Sequence, residues 1–83
     1  MDEFTRGILE ATGNYSALKI YEYVRDFQSK RLHSPSLREI AEKCNISKST
    51  AQRQAKNLIS HGYLESDEGK HRSLRLTEKR SHQ

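Results

Sequence analysis

The sequence predicts a small, mainly α fold: three helices closed by a short β-hairpin, an α+β domain. Three observations lead there. Residues 36–44 and 47–61 each carry apolar side chains at helical spacing, and each stretch opens on a serine able to cap it. Asn45, which tolerates positive φ, stands at the joint between them. After Gly62 the apolar period shortens to that of strands, in Tyr63–Ser66 and again in Ser73–Thr77.

Composition narrows the choice. The chain has 83 residues, enough for one domain with a small core. Hydrophobic residues make up 33% and charged residues 31%, so that core is lean. No apolar run approaches the ~18 residues of a membrane span, and no signal peptide opens the chain. The expectation is a soluble, cytoplasmic protein with no membrane partner. Cys44 is the only cysteine, so neither an internal disulfide nor a cysteine metal cluster can form. His33, His61, His71 and His82 lack ligand spacing, so no metal, cofactor or small-molecule ligand is expected. The serines, lysines and histidines form no catalytic signature, and the chain is not read as an enzyme. A net charge of +4 and a pI near 9.4 suit an anionic partner.

Three segments are expected: an N-terminal arm over residues 1–13, a domain over 14–77 and a polar tail over 78–83. In the first, Phe4, Ile8 and Leu9 could line a short helix, but Gly7 and Gly13 argue against a long one. A loosely docked arm is expected there, and a dimer contact is the sharper alternative. Asn14 caps a helix from Tyr15 to about Lys30, whose inner stripe is Ala17, Ile20, Tyr21, Val24 and Gln28, with Phe27 beside it. Tyr15, Leu18 and Tyr23 fall outside that stripe and could cover the arm or meet a partner.

Pro35 breaks the chain, and Ser36-Leu37-Arg38-Glu39 matches a capping box. The helix that follows buries Leu37, Ile40, Ala41 and Cys44, so Cys44 reads as a small core hydrophobe. Asn45 turns the chain, Ile46 tucks into the turn, and Ser47 opens the next helix. That helix has an apolar stripe of Ala51, Ala55, Leu58 and Ile59, and it ends at His61-Gly62. Leu64, Leu74 and Leu76 then share the inner face of the hairpin, with Arg75 facing out.

The other side of residues 47–61 is the candidate functional surface. Lys48, Ser49, Gln52, Arg53 and Lys56 are cationic or hydrogen-bonding, and a helix of this kind on a small body fits the DNA major groove. Arg53 could pair with guanine and Gln52 with adenine, each two-pronged. Ser47, Lys48 and Ser49 suit phosphates, as does the free backbone at the start of the Ser36 helix; Lys56 lies further along the backbone. The hairpin tip, Asp67 to Arg72, offers Lys70, His71 and Arg72 to an adjacent minor groove or its phosphates, against the repulsion of Asp67 and Glu68.

Ile40-Ala41-Glu42-Lys43-Cys44-Asn45-Ile46-Ser47-Lys48-Ser49-Thr50, followed by Leu58-Ile59-Ser60-His61-Gly62-Tyr63-Leu64, resembles the winged helix-turn-helix of bacterial regulators. Ser34-Pro35-Ser36 and Arg38-Glu39-Ile40-Ala41 bring it nearest to the N-terminal DNA-binding domain of LexA-type repressors. The likeness covers about residues 14–77. It implies a three-helix winged fold with a recognition helix over 47–61, a wing over 66–72, and Ser47, Ser49, Thr50, Gln52 and Arg53 against the bases. These 83 residues leave no room for the second, self-cleaving domain of those repressors, so self-cleavage is not expected to carry over, and Cys44-Asn45 stands where many relatives have Leu-Gly.

The leading expectation is therefore a sequence-specific regulator of double-stranded DNA, most simply a repressor. A homodimer through Phe4, Ile8, Leu9, Tyr15 and Leu18 would raise its affinity. The alternatives are a winged-helix protein-interaction adaptor, or a DNA-binding component of a replication or recombination complex.

Overall fold

The computed structural model describes residues 3–30, 34–66 and 74–77. The expected wing tip with Lys70, His71 and Arg72, the expected polar tail, and His33 lie outside the described residues. The element order is α1 (Glu3–Thr12), α2 (Tyr15–Lys30), α3 (Leu37–Cys44), α4 (Lys48–Ser60), β1 (Leu64–Glu65) and β2 (Arg75–Leu76). This is the expected α+β class, mostly helical with a small antiparallel hairpin.

Among the described residues the helices number four, where three were expected. Residues 3–12, expected as a loose arm, form α1, and its Ile8 is completely buried. A short helix holding a glycine is marginal by itself, so tertiary burial is what sustains it. Phe4 packs against Tyr21 and Tyr63 with ring centroids 5.4 and 5.8 Å apart, and those two rings lie 6.2 Å from each other. The three rings join α1 to α2 and to the start of the hairpin. Because α1 packs against α2, Leu18 is only 3% exposed, which is the first of its two expected roles, covering the N-terminal segment.

α1 stops at Gly13, whose φ of 65° few other residues adopt at low cost. Asn14 Oδ1 then accepts the Ser16 N–H at 2.8 Å and starts α2. Ala17, Ile20, Tyr21, Val24 and Phe27 are buried along α2. α3 opens with the complete capping box: Ser36 Oγ accepts the Glu39 N–H, and Glu39 Oε1 accepts the Ser36 N–H.

The hairpin is shorter than expected, with Leu64 paired to Leu76 and Glu65 to Arg75. Leu64 and Leu74 reach the core, while Arg75 meets Glu65 in a half-exposed ion pair at 3.3 Å. Two distant contacts hold β2. Gln28 Oε1 on α2 accepts the Leu76 N–H at 2.7 Å, and the Thr77 hydroxyl donates to the Gly62 carbonyl at 2.9 Å. Among the described residues, no helix is long and apolar enough to cross a membrane.

Candidate nucleic-acid interface

The joint between α3 and α4 is set by one backbone choice. Asn45 adopts φ 58° and ψ 47°, the left-handed region, which ends α3. Its N–H donates to the Glu42 carbonyl at 3.3 Å, and the Ile46 N–H donates to the Ala41 carbonyl at 3.0 Å. Those paired bonds satisfy carbonyls that a helix end otherwise leaves open, and asparagine reaches the conformation at less cost than a residue with a bulkier side chain. Ile46 is half-buried against the core, so the turn is packed as well as bonded.

Ser47 follows in extended geometry and caps α4, its Oγ accepting the Thr50 N–H at 3.1 Å. The Ser47 hydroxyl also donates to Thr50 Oγ1 at 2.9 Å, so these two side chains brace each other across the first turn. α4 carries no acidic residue in that turn. Its positive end is left to Lys48 and uncommitted amides, which is what an anion needs. α3 differs: Glu39 lies in its first turn, and its carboxylate already occupies the Ser36 N–H that the sequence offered to a phosphate.

α4 has two unlike faces. Ala51, Gln54, Ala55 and Leu58 are buried, and Ile59 is partly so. Lys48, Ser49, Gln52, Arg53 and Lys56 are exposed together with the cap Ser47, and Thr50 is half-buried at the edge. Seven of the expected contact residues thus belong to one helix and its cap. Ser36 opens the neighbouring helix, and the wing-tip residues lie outside the described residues. Beside α4, a depression of about 380 Å³ is lined by Arg38, Glu42, Asn45, Ile46, Ser47 and Lys48, so one carboxylate sits among the cations.

Two residues of α4 escaped the sequence reading. Gln54 is 6% exposed, the one polar side chain counted as buried among the described residues. Its Oε1 accepts from Asn57 Nδ2 at 3.2 Å, and the same nitrogen donates to the Thr12 carbonyl of α1 at 3.3 Å. A glutamine three residues before an asparagine was the only local trace of that arrangement. Cys44 is buried, and burial pushes its thiol up, with Lys19 pulling back only in part. That agrees with a packing role.

The proposed dimer patch does not survive intact. Ile8 and Leu18 lie within the chain's own core, and Phe4 and Leu9 pack against it. Tyr15 alone of the five is well exposed, at 59%.

A comparison with protein families matches residues 16–64 to the helix-turn-helix domain model, a span running from early α2 to β1. The chain belongs to that family, a class of DNA-binding module. No curated protein matches the chain.

Proposed function

We propose that this chain is a sequence-specific double-stranded DNA-binding regulator, most simply a small repressor of the winged type, akin to the N-terminal domain of LexA-type proteins. α4 would lie in the major groove, and a wing over 66–72 would lie on the adjacent backbone or minor groove. One observation carries the reading. The face of α4 bearing Lys48, Ser49, Gln52 and Arg53 is exposed, while the opposite face is locked into the core. A polar, cationic face on a rigidly held helix is what base readout requires.

The roles divide by chemistry. Arg53 offers a two-pronged donor to guanine, and Gln52 offers both a donor and an acceptor to adenine. Lys48, Ser49 and Lys56 meet phosphates, which fixes register without reading sequence. Ser47 braces Thr50 at the helix start, and the Thr50 hydroxyl lies at the edge of the reading face. The adaptor reading, whose contact patch would be Tyr15, Leu18 and Tyr23 with Phe4, Ile8 and Leu9, loses support, because Ile8 and Leu18 are interior.

The test is selection of bound duplexes from a random pool, followed by titration of the selected duplex and a scrambled one at several salt concentrations. The log of affinity should fall with the log of salt by about 0.9 per phosphate contacted. An enriched motif supports the reading, and a palindromic one shows two copies acting together. Failure to retain any duplex at ~50 mM salt refutes it.

A further inference from the structure

Asn57 is half-buried at the α1 side of α4, one turn beyond the exposed Arg53. Its Nδ2 reaches the carbonyl of Thr12, the last residue of α1, at 3.3 Å, and Gln54 Oε1 at 3.2 Å. A terminal helix carbonyl has no intrahelical partner, so this side chain completes the end of α1 from a helix 45 residues further along the chain. Gln54 behind it is almost wholly buried. A buried amide in such a bond fixes the orientation of its partner.

The α1 end of the tether is also held. The Thr12 hydroxyl donates to the Ile8 carbonyl at 2.7 Å, and the Gly13 N–H donates to the Leu9 carbonyl at 2.7 Å. Ile8, one turn back, is anchored in the core. α1 precedes the segment matched by the family model, residues 16–64. This chain therefore bonds a helix from outside the matched unit to the inner edge of α4.

We propose that α1 fixes the aim of α4, and that Asn57, steadied by Gln54, is the positioning residue through which it does so. The proposal rests on the DNA reading of α4. Arg53 and Gln52 occupy the same helix as Asn57, so a small roll of α4 moves both reading groups at once. Base readout tolerates displacements of only about 0.5 Å. Lysine contacts to phosphate adapt through long, flexible stems. Loss of the tether therefore falls on selectivity and spares the charge-driven part of binding.

The experiment compares the full chain with Asn57→Ala and Asn57→Leu, both uncharged. Leucine keeps the forked shape and the number of heavy atoms, is somewhat larger, and favours helix, so it fills the site where alanine leaves a gap. Each protein is confirmed folded by circular dichroism at the assay temperature and titrated with the selected and the scrambled duplex. Selectivity, the ratio of the two affinities, should drop about 2- to 30-fold, the usual range for couplings carried through packed networks. Affinity for the scrambled duplex and the salt slope should hold. A merely structural role would lower the melting temperature and leave selectivity of the folded protein untouched; that outcome overturns the proposal alone. A wild-type chain with no selectivity overturns the DNA reading and the proposal together.

Discussion

Replacing Ile8 by alanine tests whether α1 is part of the folded body. Ile8 is completely buried, and its neighbours in the core cluster come from every other helix and from the hairpin. The substitution removes three carbons from that site, about 2.5 kcal/mol of transfer free energy at ~0.8 kcal/mol each. The cavity left behind adds to this, so a loss of about 3–4 kcal/mol is expected, inside the ~2–5 kcal/mol range for such truncations. A chain of this length has on the order of 4–12 kcal/mol in total, so the loss is a large share of its stability. Urea unfolding followed by circular dichroism gives the measurement, with a second probe confirming a single transition. At a slope of roughly 1 kcal/mol per molar, the midpoint should fall by about 3 M, or the variant should be largely unfolded without urea. A midpoint within ~0.5 M of wild type would mean that α1 is docked too loosely to matter, and the reasoning about the core would be refuted.

Other outcomes follow from the same fold. Gly7→Ala should raise stability by about 0.5–1 kcal/mol, because an added Cβ meets the Tyr63 hydroxyl oxygen at an ordinary 3.5 Å while helix propensity improves; a fall in the urea midpoint would count against it. Arg53→Ala should cost ~1–3 kcal/mol on a selected duplex and relax selection at one base pair. Lys56→Ala should weaken selected and scrambled duplexes alike and reduce the salt slope by about 1. Cys44 should react with iodoacetamide at pH 8 far more slowly in the native protein than in denaturing urea, since burial both shields the thiol and keeps it protonated; equal rates would show that it is not buried.

Much of this architecture is written in local chemistry. The serine caps of α3 and α4, the Ser36–Glu39 box, Asn45 in the left-handed region and Gly62 after α4 are each a residue type with one strong conformational use. Short sequence patterns therefore place the helix-turn-helix correctly, with its exposed polar face. What was not legible depends on partners far away in the chain. α1 looked weak because Gly7 interrupts it, yet Tyr21 and Tyr63 complete its aromatic contacts. Leu18 looked peripheral because the helix that buries it had been read as a loose arm. Gln54 and Asn57 looked like ordinary polar residues, and only folding brings the Thr12 carbonyl to them. The hairpin strands are shorter than the alternation in the sequence suggested, although the Thr77 N–H still donates to the Tyr63 carbonyl at 3.4 Å beyond them.

The bond from Gln28 to the Leu76 N–H has a further consequence for how the molecule behaves in a crowd. An outer strand normally shows a row of unused backbone donors, and these recruit strands from other molecules. Here a glutamine side chain occupies one of those donors, in a strand only two residues long. Swapping Gln28 for a residue that cannot accept would uncork that donor. The cost would then show as clumping at high concentration more than as lost cohesion in the dilute monomer.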